Sequence, residues 1–198
     1  MHSRRLACFL LGTWLWGGVL LQWMATRNLR AVDRLLEQPS PPAALQIRAL
    51  GPEGARALFE YQVAEQNRYW FEAWEVAQLI LGSLFFFFLL FGTREDKYSL
   101  LLALAMLLMV MLQRLVLTPE ITSLGRNLDF LPAGAAGPRL GRFTAFHSSY
   151  FGAEYLKWGA GLALCVRLVV GRRRGSSGTD IRKELDLINK AHDRHIDR

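Results

Sequence analysis

Residues 6–26, LACFLLGTWLWGGVLLQWMAT, hold 21 positions without a formal charge, directly behind Arg4-Arg5. Two further runs repeat the pattern: VAQLILGSLFFFFLLFGT at 76–93 and YSLLLALAMLLMVMLQ at 98–113. A soluble core does not need apolar residues gathered this way. A bilayer does, because about 20 residues at about 1.5 Å rise cross a hydrocarbon layer of about 30 Å. The sequence therefore predicts an all-α integral membrane protein.

The rest of the 198 residues is read outward from these runs. The first span is placed at 6–25 and the second at 73–92, the latter including Phe85-Phe86-Phe87-Phe88. The short turn 93–97 makes spans two and three an antiparallel hairpin. The third span is placed at 98–117, with Pro119 ending it. A fourth is placed at 147–170, where Leu162, Ala163, Leu164, Val166, Leu168, Val169 and Val170 are apolar despite Glu154, Lys157 and Arg167. The predicted architecture is a bundle of four transmembrane helices over 1–174. It carries an amphipathic helical outer loop at 26–72 and a polar connection at 118–146 with a flexible centre from Pro132 to Pro138. A cytoplasmic linker, Gly175-Ser176-Ser177-Gly178, and a short helical tail to 198 complete it.

Basic start, long apolar stretch and the absence of a small-x-small pattern at Gln22-Trp23-Met24-Ala25 favour an uncleaved signal-anchor. Gly12, Gly17 and Gly18 are candidates for close helix approach. In the outer loop, Leu29, Val32, Leu35 and Leu36 recur at helical spacing up to Pro39, and a second helix starts after Gly51-Pro52. The net charge of +7 reflects Lys and Arg flanking the spans, not a nucleic-acid motif. Arg4, Arg5, Arg94, Lys97 and Arg172 to Arg174 fall on one side, which puts both termini in the cytoplasm. Cys8 and Cys165 lie inside apolar spans and make no metal or disulfide pattern.

Within the fourth span, His147, Tyr150, Glu154, Lys157 and Gly161 share one helical face. Ionisable residues in a span are expensive and turn toward the bundle or a wet cavity. Glu75 and Gln78 lie near the top of span two, Gln113 and Arg114 near the outer end of span three. The sequence thus places an outer-leaflet polar cluster of Asn67, Arg68, Glu75, Gln78, Arg114, Glu120, His147, Tyr150, Glu154 and Lys157, serving as a ligand site or a structural ion network. No P-loop, HExxH or Gly-x-Ser-x-Gly is present, and the His192/His195 pair of the tail reads as a solvated helix face. No cofactor, catalytic residue or metal ligand is assigned.

Three stretches carry a family resemblance: Gly12-Thr13-Trp14-Leu15-Trp16-Gly17-Gly18-Val19; Glu65-Gln66-Asn67-Arg68 with Trp74 and Gln78 to Gly82; and Arg142-Phe143 with Phe146-His147. Together they resemble the four-span membrane proteins of unknown function that include transmembrane-protein-205-like proteins. The resemblance implies a four-helix membrane bundle and no established reaction, and its bacterial members imply an inner (plasma) membrane. This chain departs from the pattern in its long first outer loop and in Glu154 with Lys157.

Three functional readings follow. The first is a non-enzymatic membrane component whose partners are the bilayer, a lipid or small molecule at the outer cluster, and a second copy of the chain. The second is a transporter or channel subunit using Glu154, Lys157, Arg114 and His147 as an ion or proton relay. The third is a membrane enzyme with His147 and Glu154 as acid and base.

Overall fold

A computed structural model describes residues 2–92, 96–131 and 137–196, with side chains described over 4–92, 96–131 and 137–170. Every element among the described residues is helical: α1 (His2–Glu37), α2 (Pro41–Leu50), α3 (Pro52–Gly92), α4 (Lys97–Leu112), α5 (Thr118–Arg126) and α6 (Gly137–Ile196). Residues Gln113–Leu117, between α4 and α5, form a turn of π-helix. Three stretches, Arg4–Glu37, Pro52–Gly92 and Lys97–Arg126, are long and apolar enough to cross a membrane. The chain is therefore all-α, with the character of a multi-pass membrane protein.

At about 1.5 Å per residue, the 36 residues of α1 and the 41 of α3 outrun a hydrocarbon core of about 30 Å. They run antiparallel and stay paired along that extra length. Near the start of α1, Trp14 donates to Gln78 at 2.9 Å; further out, Asn28 donates to Asn67 at 3.0 Å, and Arg56 reaches Asp33 at 3.0 Å. Asn67 also donates to the Ala25 carbonyl at 3.4 Å. The outer loop is thus built largely from continuations of the two spans, as the helical stripe at Leu29 to Leu36 anticipates. α2 lies between them with no buried residue. Its first turn holds Pro41 and Pro42, where a missing N–H is harmless. Gly51, at φ 77°, turns the chain into α3, a conformation glycine adopts without steric strain.

The apolar core lies toward one end of the packed helices. Ala7, Leu11 and Trp14 meet Phe85 and Leu89, Ala103, Met106 and Val110, and Leu164 and Leu168. Spacings of three, four and seven put each set on one face of its helix. Cys8 and Cys165 pack against this core. Opposite faces stay bare: Phe9, Ile80, Phe91, Leu101, Leu115 and Leu162 are all exposed. Apolar area spread so widely over several helices suits lipid as the surrounding solvent.

Glycines set two of the helix contacts. A Cβ on Gly17 would lie 2.1 Å from the Trp74 ring, and one on Gly161 would lie 2.6 Å from Leu15. Gly12 has nothing within 4 Å, so only part of the anticipated glycine role holds. At the hairpin, Asp96 caps α4 by accepting from the Ser99 amide at 3.1 Å and its hydroxyl at 2.8 Å. These bonds, with the Arg167 ion pair, hold the Asp96 carboxyl below its ordinary range. Arg167 also lies over the Tyr98 ring, 5.3 Å from its centroid, which accounts for this charge in an otherwise apolar stretch.

Three expectations need correcting. Pro119 does not end the third span; the helix runs on to Arg126. Proline lacks an N–H and crowds the carbonyl four residues back, Leu115, and the wider π turn at Gln113–Leu117 absorbs that misfit without breaking the helix. Helix α6 begins at Gly137, with Pro138 in its first turn, so residues 137–146 of the predicted polar connection are helical. The backbone of α6 also stays helical through 175–178, the predicted linker. Glycine and serine lower helix propensity by about 1 kcal/mol or less each, and no proline stands there to forbid it. Most of the flexible centre expected between Pro132 and Pro138 lies outside the described residues, as do the side chains of His192 and His195.

Candidate functional site

Above the apolar core, four helices turn polar side chains inward at one level. Glu75 and Gln78 come from α3, Gln113 from the π turn, Thr118 from the start of α5, and Glu154 and Lys157 from α6. All are buried, and Glu75 and Gln113 have no exposed area. Helical spacing explains the pairs on α3 and α6: residues three apart share a face. The π turn contributes more subtly. One extra residue in that turn shifts the register, so that Gln113 and Thr118, five apart, both face inward.

Two connected groups result. In the first, Lys157 Nζ donates to Glu154 Oε1 at 2.7 Å and to Gln78 Oε1 at 2.7 Å. Gln113 Nε2 donates to the same Glu154 oxygen at 3.0 Å and to the Tyr150 carbonyl at 3.3 Å. The Trp14 indole completes the set on Gln78. Each charge therefore has an opposite partner and further hydrogen bonds, which a buried ion pair requires. The second group centres on Glu75. Its Oε1 accepts from the Thr118 hydroxyl, and Arg114 stands 3.8 Å from its Oε2 and 3.8 Å from Glu72.

Several polar atoms in this layer remain unsatisfied among the described residues: Glu75 Oε2, Gln78 Nε2, Gln113 Oε1, Trp74 Nε1 and the Tyr150 hydroxyl. The Tyr150 hydroxyl and Glu75 Oε2 lie beside each other, so each is the other's nearest candidate partner. Buried polar groups are rarely left without partners, so five together mark a place for water or a polar ligand.

A cavity of about 500 Å³ adjoins the layer between α1, α3, α5 and α6. Tyr150 and Thr118 connect it to the layer, and Leu29, Phe71, Ile121, Phe143 and Phe151 supply apolar wall. Asn67, Arg68, Arg30 and His147 also line it. His147 sits between two rings, 5.5 Å from Phe143 and 4.9 Å from Phe151. A second, more open hollow of about 710 Å³ lies across α5, lined by Glu72, Arg114 and Arg126 among others. Thr118 and Thr122 border both.

The sequence-assigned residues thus divide. Glu75, Gln78, Tyr150, Glu154 and Lys157 converge in the buried layer, with Arg114 at its flank. Asn67, Arg68 and His147 belong to the cavity. Glu120 is exposed on α5 and takes no part; α5 turns it outward because the helix continues beyond Pro119. Gln113, which the sequence places at this depth, is a full member of the layer. Trp14 and Thr118 belong to it without any charge or spacing that would mark them. Among the described residues, no three His, Cys, Asp or Glu side chains gather as a metal set.

Ion pairs beyond the buried layer brace the cavity. Arg68 reaches Glu65 at 2.5 Å and Asp129 at 3.1 Å, while Arg126 donates to both Glu65 oxygens at 3.0 Å. Arg126 first, then Arg68, hold the Glu65 carboxyl down to about 2, against an ordinary 4.5. A depressed acid stabilises the folded state above its unfolded pKa, and that contribution fades as pH falls from about 4.5 through about 2. Thermal unfolding between those pH values is expected to show a falling midpoint, and Glu65→Gln a shallower fall. Parallel curves for the two proteins would remove Glu65 as the cause.

Comparison of the chain with protein-family models, with curated proteins and with solved structures found no match.

Proposed function

We propose that this chain is a non-enzymatic membrane protein of four crossings, with α6 forming the fourth over about 147–170, and that its outer cavity binds a lipid or small amphiphile. Both termini then lie on one side, and the Lys and Arg flanking the spans favour the cytoplasm for it. The observation that carries the reading is the cavity: apolar walls, one charged end, and Tyr150 and Thr118 where it meets the buried polar layer. Ligand sites combine mostly apolar lining with a few convergent polar groups in volumes of about 300–1,000 Å³. The Glu154–Lys157 pair supports α6 as a crossing, because it leaves no unpaired charge on the face turned to the bundle.

Geometry favours the binding reading over a relay. Glu154 and Lys157 are locked into direct bonds, while His147 lies in the cavity and Arg114 is engaged with Glu72 and Glu75. Purification in a mild detergent followed by native mass spectrometry is expected to show a bound species of fixed extra mass. Ala64 on α3 also lines the cavity, and Ala64→Trp, which fills it, should release the bound species while the protein stays folded. An unliganded mass for the wild type, across detergents, would count against the binding site. Membrane-impermeant labelling tests the topology: with Cys8 and Cys165 replaced, a cysteine at Ser40 and one at Ser176 should react from opposite sides. Reaction from one side would remove the fourth crossing.

A further inference from the structure

The charges around the cavity carry the reading a step further, to the class of ligand. Its lining includes the guanidinium groups of Arg30 and Arg68 and the His147 imidazole, and no carboxylate. Arg68 is already engaged by Glu65 and Asp129. Arg30 is exposed and takes part in no ion pair among the described residues. It therefore offers an uncommitted cation at one end of an otherwise mostly apolar chamber.

The two ends of the chamber differ. Along α1, the lining runs from Gln22 to Arg30, about 12 Å at about 1.5 Å per residue. Gln22 stands at the end of the first apolar run and Arg30 beyond it, so the chamber reaches from the membrane boundary outward. On α6, Phe143 lies toward the Arg30 end and Tyr150 toward the membrane. Glu75 stands behind Tyr150 and Thr118, so an anion at that end would meet a carboxylate. The uncommitted cation of the lining, Arg30, stands at the opposite end.

We infer that the cavity selects a single-chain anionic amphiphile, its charged head at Arg30 and its apolar body along Leu29, Phe71, Ile121, Phe143 and Phe151. The inference rests on the cavity being a ligand site, as proposed above. A volume of about 500 Å³ suits one chain and excludes the whole of a two-chain lipid. The bilayer supplies such molecules laterally at the depth where the chamber begins.

The test titrates the full chain in neutral detergent with single-chain phosphatidylglycerol, single-chain phosphatidylcholine of equal chain length, and inorganic phosphate. Native mass spectrometry reads occupancy, and thermal unfolding confirms that each variant is folded. Expected is one phosphatidylglycerol species per chain, bound about tenfold tighter than the phosphatidylcholine form, because one charge-assisted contact separates them. Arg30→Gln should bring that ratio near one, and Ala64→Trp should abolish binding of both. Equal binding of the two lipids in the wild type, blocked in Ala64→Trp, would overturn the charge selectivity and leave the cavity reading standing. Binding that survives Ala64→Trp would overturn both. Competition by inorganic phosphate alone at matched concentration would overturn the need for a chain.

Discussion

Lys157→Met is expected to destabilise the protein by about 3–5 kcal/mol, the range for removing one member of a buried ion pair. Lys157 is 2% exposed, and its ammonium holds Gln78 and Glu154 at once. Without it, the Glu154 carboxyl, 7% exposed, has only Gln113 to donate to it. Methionine fills similar volume, so the loss is electrostatic rather than a cavity. The double variant Lys157→Met with Glu154→Gln removes both charges and should recover most of the loss. Denaturant unfolding in detergent micelles reads all the values of the cycle. A double variant as unstable as the sum of the singles would show no coupling, and the pair would not be the strut described here.

Much of the architecture is legible in the sequence because burial in lipid leaves a coarse mark. Apolar runs at 6–26, 76–92 and 98–113 need no tertiary context to be seen, and each falls in a helix long and apolar enough to cross a membrane. The helical stripe Leu29 to Leu36 likewise continues α1 in the structure. What fails is punctuation. Pro119 reads as a stop, since proline breaks an ordinary α-helix, but a π turn before it depends on packing that no local pattern encodes. Glycine and serine at 175–178 read as a linker for the same local reason. α2 passes unnoticed because Pro41 and Pro42 mark a helix start as readily as a stop.

The site is legible where charge meets apolar sequence. Glu75, Glu154 and Lys157 stand out because an ionisable residue in such a run needs a reason. Spacing then groups Tyr150, Glu154 and Lys157 on one face. Partners from other helices are harder. Trp14 looks like one more apolar residue, and only its indole N–H on Gln78 reveals a polar role. Thr118 looks like a loop residue once Pro119 is taken as a helix end. The cap pairs Arg68–Asp129 and Asn28–Asn67 join positions 61 and 39 residues apart, a separation that sequence periodicity cannot bridge.

The contact between α1 and α3 carries the second large effect. Gly82→Leu is expected to lower stability by about 3 kcal/mol. A Cβ at Gly82 would lie 2.7 Å from the Trp14 ring, closer than real contacts come, and 3.0 Å from Leu107, tighter than most. Overpacking of a filled core costs about 1–3 kcal/mol. Trp14 cannot simply turn aside, because it is 2% exposed, packs edge-on against Phe85, and donates to Gln78. Displacing it adds a lost buried hydrogen bond, about 1 kcal/mol. That loss also frees Gln78, the residue that holds Lys157, so damage at Gly82 should propagate into the polar layer. Gly12 supplies the contrast: nothing lies within 4 Å, and Gly12→Ala should stabilise by about 0.5–1 kcal/mol through helix propensity alone. Thermal unfolding of the three proteins in one detergent compares them directly. If Gly82→Leu matched the wild type, α1 and α3 would not pack at this distance, and the Trp14–Gln78 bond that joins core to polar layer would fall with it.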